Sequence, residues 1–272
     1  KLSEEANERI DIGLSPHSPY TVSFRLFEKI AEFAAAEAIR TTIHAAESAE
    51  ERELLMNGQG LFTSFLERAG IKWNDPKCTS IEYLRRTGIL DVRPLLAHCV
   101  TVSDADIAAI RESGSSIAHC PCSNAKFGHG YAPLAKFRDA GIAVGLGSDS
   151  VSSNNTCDIL AESRFAALAA RNHPSSAAFI SPGEMIEMAT LGGAKALGLD
   201  GRIGTLDAGK QADIAVVSLA NLAQMPVHDV CSALVFASNA RDVVMTIVDG
   251  EILYRDGKCL SVDESLYRLT AI

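Results

Sequence analysis

Several absences bound this 272-residue chain before any motif is read. No stretch approaches the roughly 18 uninterrupted apolar residues of a membrane-crossing helix, so no membrane partner is expected. Positive charge is short. Lys and Arg number 25 against 34 Asp and Glu, a net charge of −9 with no basic run. That argues against the electropositive face needed by nucleic acid or an anionic bilayer. Paired cysteines are missing too: the seven Cys are scattered and none shows CxxC spacing. Reduced thiols in a cytoplasmic protein are therefore expected, not a disulfide frame. The opening KLSEEANERID starts with Lys and lacks the apolar centre of a signal peptide. What is present is ordinary globular composition, 47% apolar and 22% charged, ample for a packed core.

Up to about residue 171 short apolar runs alternate with amphipathic helical stretches. Strands are expected at 10–14, 41–45, 94–99, 116–120 and 142–147. Helices are expected near 24–37, 49–56, 61–69, 81–86, 104–112, 134–139 and 158–171. That alternation implies βαβ units and a parallel sheet covered on both faces. Pro182 then precedes one more helix, 183–197. Beyond about residue 200 the strands are short and alternating, at 214–217, 243–248 and 251–254. Asp249-Gly250 gives a two-residue hairpin between the last two. The expected organisation is thus an α/β body over 1–200 and a small β unit over 201–272.

Chemistry-bearing residues sit where these strands end. His17 follows the first, His44 and Glu47 the second, His98 the third, His119 the fourth and Asp149 the fifth. In α/β barrels the C-terminal strand edge supplies the catalytic groups, several strands contributing in turn. A divalent ion needs imidazole nitrogens and carboxylate oxygens converging on one point with a position left for water. His44, His98 and Asp149 are candidates, and the spacing alone does not say which of them touch metal. Glu47, three residues past His44, is placed for proton transfer instead.

The strings SPHSPYTVS, IHAAES, LLAHC, HCPCSN, GLGSDSVSSNN and LGGAKALGLDGRIGTLDAGKQADIAVV resemble the metal-dependent amidohydrolase superfamily. Within it they look like the chlorohydrolase and nucleoside or nucleobase deaminase branch. The GQGLF and SIEYLRRTGIL segments look most like aminodeoxyfutalosine-type deaminases, and methylthioadenosine/S-adenosylhomocysteine-type deaminases share most of the same strings. The resemblance implies the C-terminal part of a (β/α)8 barrel with a small β-sandwich domain. It implies one divalent metal, zinc first, with iron or manganese also suited to N/O ligation. His44 and Asp149 then resemble metal ligands, Glu47 the general acid/base of H-x-x-E, and His98 the group that orients the hydrolytic water. Asp149 also accepts that water's proton, and His17 and Ser153 face the substrate. The implied reaction is hydrolytic deamination of a small, purine-nucleoside-like substrate by a homodimer. Triazine dechlorination or guanine-type deamination is the alternative, and a non-catalytic module lies outside enzymes.

One motif of that family is lacking. Its first strand carries a His-x-His pair, whereas the seven histidines here stand at 17, 44, 98, 119, 129, 173 and 228. The expectation is a piece of a longer enzyme, inactive when expressed by itself. Other features read as structural. His119 is expected to support the site, Asp158 and Glu162 to form a solvated or ion-paired helix face, and Lys210 and Asp213 to anchor the β unit. His173 and His228 read as surface residues, Cys99 and Cys120 as buried thiols, and His129 as part of a Gly-rich loop over the pocket. Gly145 and Gly147 permit close packing at a strand end.

Overall fold

The computed structural model describes residues 9–172 and 179–263; the histidine at 173 lies outside them. Four strands, β1 (Thr42–Ala45), β2 (Leu95–His98), β3 (Ser116–His119) and β4 (Val144–Leu146), form a parallel sheet in that order. Their register is Thr42 with Leu95, Leu95 with Ser116, and Ile117 with Val144. Ile43, Leu96 and Ile117 are fully buried in this sheet, and Phe27, Ile81, Leu84, Ile110 and Phe137 pack into the same core from the surrounding helices. Side-chain caps set the starts of those helices. Ser48 caps Ala49–Asn57, Thr79 caps Ser80–Arg86, and Ser103 with Asp106 makes a reciprocal capping box on Asp104–Ser113.

The strand expected at 10–14 is corrected by the structure to isolated bridge positions, of which Leu14 pairs in parallel with Thr41. Backbone bonds from Leu14 to Arg40 and from Thr42 to Leu14, each 2.9 Å, hold it along the outer edge of β1. Gly13 lies within this stretch, and Pro16 and Pro19 follow it. Proline removes a ladder donor, and glycine weakens a strand interior. The contact is close enough that a Cβ on Gly13 would come 3.1 Å from the Arg40 carbonyl oxygen. Among the helices not anticipated are Pro121–Phe127 and Val230–Phe236. Each is only seven residues long, too short for its apolar spacing to register as periodic.

The expected helix 183–197 is present as Pro182–Glu187 and Gly193–Ala196 joined through one widened turn, Met188–Gly192. This helix lies directly on β4. A Cβ on Gly192 would come 2.5 Å from the Val144 oxygen, and one on Gly145 would come 2.7 Å from the Gly193 Cα. No side chain larger than hydrogen fits either position.

After residue 200 the chain forms one antiparallel sheet, β5 (Ile214–Val217), β6 (Val243–Val248), β7 (Glu251–Arg255) and β8 (Lys258–Cys259). Asp249 and Gly250 both take positive φ, 50° and 79°, the pair of angles a tight hairpin of this twist requires. Lys210 and Asp213 are structural: Lys210 Nζ donates to the Asp200 oxygen at 2.7 Å, and Asp213 accepts from Asp249 N at 2.7 Å. Asp158 spans the two parts of the chain. Its carboxylate caps Ala161 at 3.0 Å and accepts from Ala240 N at 2.9 Å.

Replacing Gly192 with Ala puts backbone against a methyl group, so Gly192→Ala is expected to destabilise the protein by about 1–3 kcal/mol. Urea unfolding checks this; an unchanged midpoint would show that the helix can lift off β4 at no cost.

Candidate metal centre

His44, His98 and Asp149 come together at the C-terminal edge of the parallel sheet. One ligand atom from each lies within 4.8 Å of the others. The backbone there is bent sharply. Ala46, His98, Cys99 and Asp149 all have positive φ, 52°, 73°, 50° and 59°, a conformation non-glycine residues rarely adopt. Hydrogen bonds hold the bends: Cys99 N donates to the Ala45 oxygen at 3.1 Å, and Thr101 N to the Ala46 oxygen at 2.8 Å. These turns swing the side chains over the strand ends.

A hydrogen bond at Nδ1 orients each imidazole. His44 Nδ1 lies 2.8 Å from the His17 carbonyl oxygen, which can only accept, so Nδ1 carries the proton and Nε2 keeps its lone pair. His98 Nδ1 likewise faces Asn124 Oδ1 at 2.9 Å. Burial pushes the His98 pKa down, against the opposing pull of Glu47, and keeps the ring neutral. A neutral imidazole whose other nitrogen is tied to a carbonyl is the form that ligates a metal. Asp149 supplies the carboxylate. Burial works to raise its pKa, but Ser123 Oγ at 2.6 Å and Ser150 N at 2.7 Å outweigh that and hold it below the usual value. Two imidazole nitrogens and one ionised oxygen fit a divalent ion and leave coordination positions for water. The three candidates left open by strand spacing, His44, His98 and Asp149, are thus the three brought together here, and His98, whose family resemblance implied the orienting of water, belongs to the set that could hold the ion.

Glu47 stands beside this cluster. Its Oε1 is 3.6 Å from His98 Nε2 and 3.5 Å from His129 Nε2. His129 is thus brought to the site by the loop after Pro121–Phe127, a proximity that only the Gly-rich FGHGYAP string hinted at. His17 contributes in two ways. Its carbonyl fixes His44, and its ring lies 4.9 Å from that of His44, with Nδ1 2.8 Å from Thr21 Oγ1. The Ser153 hydroxyl lies 3.2 Å from that of Ser150, next to Asp149. Cys99 and Cys120 are buried, and burial pushes the Cys120 thiol up to about 12.

The expected solvated or ion-paired face of Asp158 and Glu162 is corrected: Glu162 is fully buried and bonded to the neutral donors Cys122 N and Asn154, while Asp158 caps its helix. Helical spacing placed the two on one face, but that face packs inward against the helix Pro121–Phe127. Asn124 and Ser123 were not singled out, although they lie in the HCPCSN string; only the fold shows that they grip His98 and Asp149.

A cavity of about 1010 Å³ opens beside Tyr20. Tyr20, Phe62, Phe65, Trp73 and Tyr83 line it, and the Tyr20 ring lies between His17, 5.8 Å away, and Phe62, 4.7 Å away.

A parallel sheet thus carries at its C-terminal edge two histidines and an aspartate that could hold a metal ion. The model of the amidohydrolase family matches residues 1–253, and the chain belongs to that family. It is 36% identical over 260 residues to the 5-methylthioadenosine/S-adenosylhomocysteine deaminase of Moorella thermoacetica, and 34% over 258 residues to that of Pyrococcus abyssi. Each alignment covers 95% of this chain but only 57% and 56% of the relative, so the chain spans little more than half their length. Among solved structures, an adenosine deaminase from Xanthomonas campestris with bound zinc matches with a TM-score of 0.85 at 28% identity, over 99% of this chain and 58% of that one. Atrazine chlorohydrolase from Arthrobacter aurescens, complexed with zinc, matches with a TM-score of 0.77 at 26% identity, over 97% and 56%. No described helix is long and apolar enough to cross a membrane.

His119, fully enclosed at the end of β3, gives a pH signature. Burial, with His98 adding to it, lowers its pKa to about 4, from 6.5 for the free side chain. The unfolded chain takes up that proton first. Stability is therefore full above pH 6.5 and falls as pH drops toward 4, by on the order of 3 kcal/mol across the window. Denaturation midpoints between pH 7 and 4 should fall in the parent and fall less in His119→Asn; parallel slopes would remove His119 as the cause.

Proposed function

We propose that this chain belongs to a metal-dependent aminohydrolase that removes ammonia from a purine-nucleoside-like substrate. The observation that carries this reading is the placement of the Glu47 carboxylate 3.5–3.6 Å from two imidazoles, directly beside the His44, His98 and Asp149 cluster. The relatives named as nucleoside deaminases support the choice of reaction.

His44, His98 and Asp149 would hold the ion, zinc on this reading, which when bound would act as a Lewis acid toward water. The chain's own groups then handle protons. Asp149, kept ionised by Ser123 and Ser150, accepts a proton at its carboxylate from the attacking water. Glu47 carries a proton on Oε1 to the ring nitrogen next to the amine-bearing carbon, which neutralises the charge that develops as that carbon becomes tetrahedral. His98 and His129 flank that oxygen and fix its direction. Asp149 passes the proton it took to the amine nitrogen, the hydroxyl on the tetrahedral carbon returns a proton to Glu47, and the carbon–nitrogen bond breaks, so that ammonia leaves as the ring regains its conjugation. The cavity beyond Tyr20 gives room for the part of the substrate remote from the amine, with His17 and Ser153 at the substrate side. The protein is read as cytoplasmic and homodimeric, with a barrel portion over 1–200 and a β portion over 201–272.

Dechlorination of a triazine is the second reading, favoured by the fold match to the zinc-containing chlorohydrolase. The deciding experiment uses the protein with any residues its gene encodes ahead of Lys1. Zinc-loaded enzyme is given adenosine-type nucleosides, guanine and chlorotriazines, with ammonia and chloride both measured. Ammonia from the nucleosides is expected; chloride alone would overturn the deaminase reading. Glu47→Gln should keep the metal and lose about 10²–10⁴-fold in kcat. Phe62→Ala should raise KM about tenfold for nucleosides with a bulky apolar 5′ substituent while sparing adenosine, and equal KM changes on both would remove the cavity from substrate binding.

A further inference from the structure

Glu51 and Glu162 are both fully buried, and every hydrogen-bond partner the structure gives them is a neutral donor. An ionised carboxylate buried without a cation is costly, and burial pushes the pKa of both groups up. The geometry around each shows what it holds in place.

Glu51 Oε1 accepts from Ala46 N at 2.9 Å and from Ser80 Oγ at 2.5 Å, and Oε2 accepts from Glu47 N at 2.9 Å. These are the amides of the turn that runs from His44 to Glu47, including the left-handed Ala46. Ser80 ties the same carboxylate to the first turn of Ser80–Arg86, so the loop end is fixed to the core. Glu162 does the same for Asp149, from both sides. Its Oε2 accepts from Cys122 N at 3.1 Å, next to Ser123, whose hydroxyl bonds Asp149 Oδ2. Its Oε1 accepts from Asn154 Nδ2 at 2.5 Å, and the same amide reaches the oxygen of Ser148, the residue before Asp149.

We propose that Glu51 and Glu162 are a matched pair of positioning residues: Glu51 sets the reach of Glu47, and Glu162 sets the place of Asp149. The assignment of chemistry to Glu47 and Asp149 rests on the function proposed above. A carboxylate suits both places because it offers acceptors only. Both oxygens of Glu51 meet N–H or O–H donors, and both oxygens of Glu162 meet N–H donors. A glutamine would turn one donor against another and release one side of the turn.

The test compares Glu51→Gln and Glu162→Gln in the whole protein by zinc affinity from chelator competition, by kcat and KM, and by amide hydrogen exchange. Glu51→Gln is expected to leave zinc affinity and KM within about threefold. It should lower kcat about 100-fold, the effect of a displacement near 1 Å, and speed exchange at Ala46 and Glu47. Glu162→Gln is expected to weaken zinc about 10–100-fold, as loss of a group supporting a ligand does, with kcat largely restored at saturating zinc. A merely structural role would lower thermal stability and change affinity and kcat together in both variants, and that result, or no change in either, overturns the proposal. If the glutamine variants do not fold, Ser80→Ala and Asn154→Ala, which remove one partner each, must show the same split. Zinc binding and exchange are read without substrate. A parent that binds zinc but turns over no nucleoside therefore fails the proposed function and leaves this pairing to be judged by those two readouts.

Discussion

Everything at the candidate site depends on how the parallel strands end. β1 and β2 are in register so that Ala45 lies opposite His98, and β3 continues that register toward β4. Aligned termini would leave the side chains pointing along the pleat, into the core or out into the helices. Left-handed bends at Ala46, His98, Cys99 and Asp149 redirect them to a common point. Such bends are unfavourable for residues with a Cβ, so they persist only where the surroundings fix them. Here backbone bonds from Cys99 and Thr101, together with the buried carboxylates of Glu51 and Glu162, supply that fixation.

Electrostatics then divides the titratable groups by environment. His98 and His119 are enclosed and stay neutral, which keeps nitrogen lone pairs available and avoids packing cations beside one another. Asp149 is only half-buried, and a hydroxyl and an amide that point at it keep it ionised. Proton acceptor and metal-ready imidazoles thus coexist within a few ångströms because different neighbours act on each.

The packing of Pro182–Ala196 on β4 belongs to the same construction. Gly145, Gly192 and Gly193 let helix backbone touch strand backbone, which brings the helix tight behind the strand that leads to Asp149. The widened turn at Met188–Gly192 sits at that contact. Close backbone approach needs residues without a Cβ, and the LGGAK string already showed them, though not which strand they would meet.

Much was legible from the chain itself. Alternating apolar runs and amphipathic stretches determined the parallel α/β body, because burial on both faces demands that pattern. Asp249-Gly250 determined its hairpin, because few other pairs tolerate two positive φ angles. The order of His44, Glu47, His98 and Asp149 after successive strands was likewise readable, since strand ends are where such sheets carry chemistry. Tertiary structure alone decided the rest. An expected strand is reduced to isolated bridge positions such as Leu14 with Thr41, a balance of ladder bonds that apolar patterning does not measure. Glu162 read as part of a solvated or ion-paired helix face because spacing defines a face, while the neighbour packed on that face decides whether it is wet. His129 near Glu47 and Asn124 on His98 join residues 82 and 26 positions apart, and such distances follow from the crossing of loops over the sheet, which local sequence does not encode.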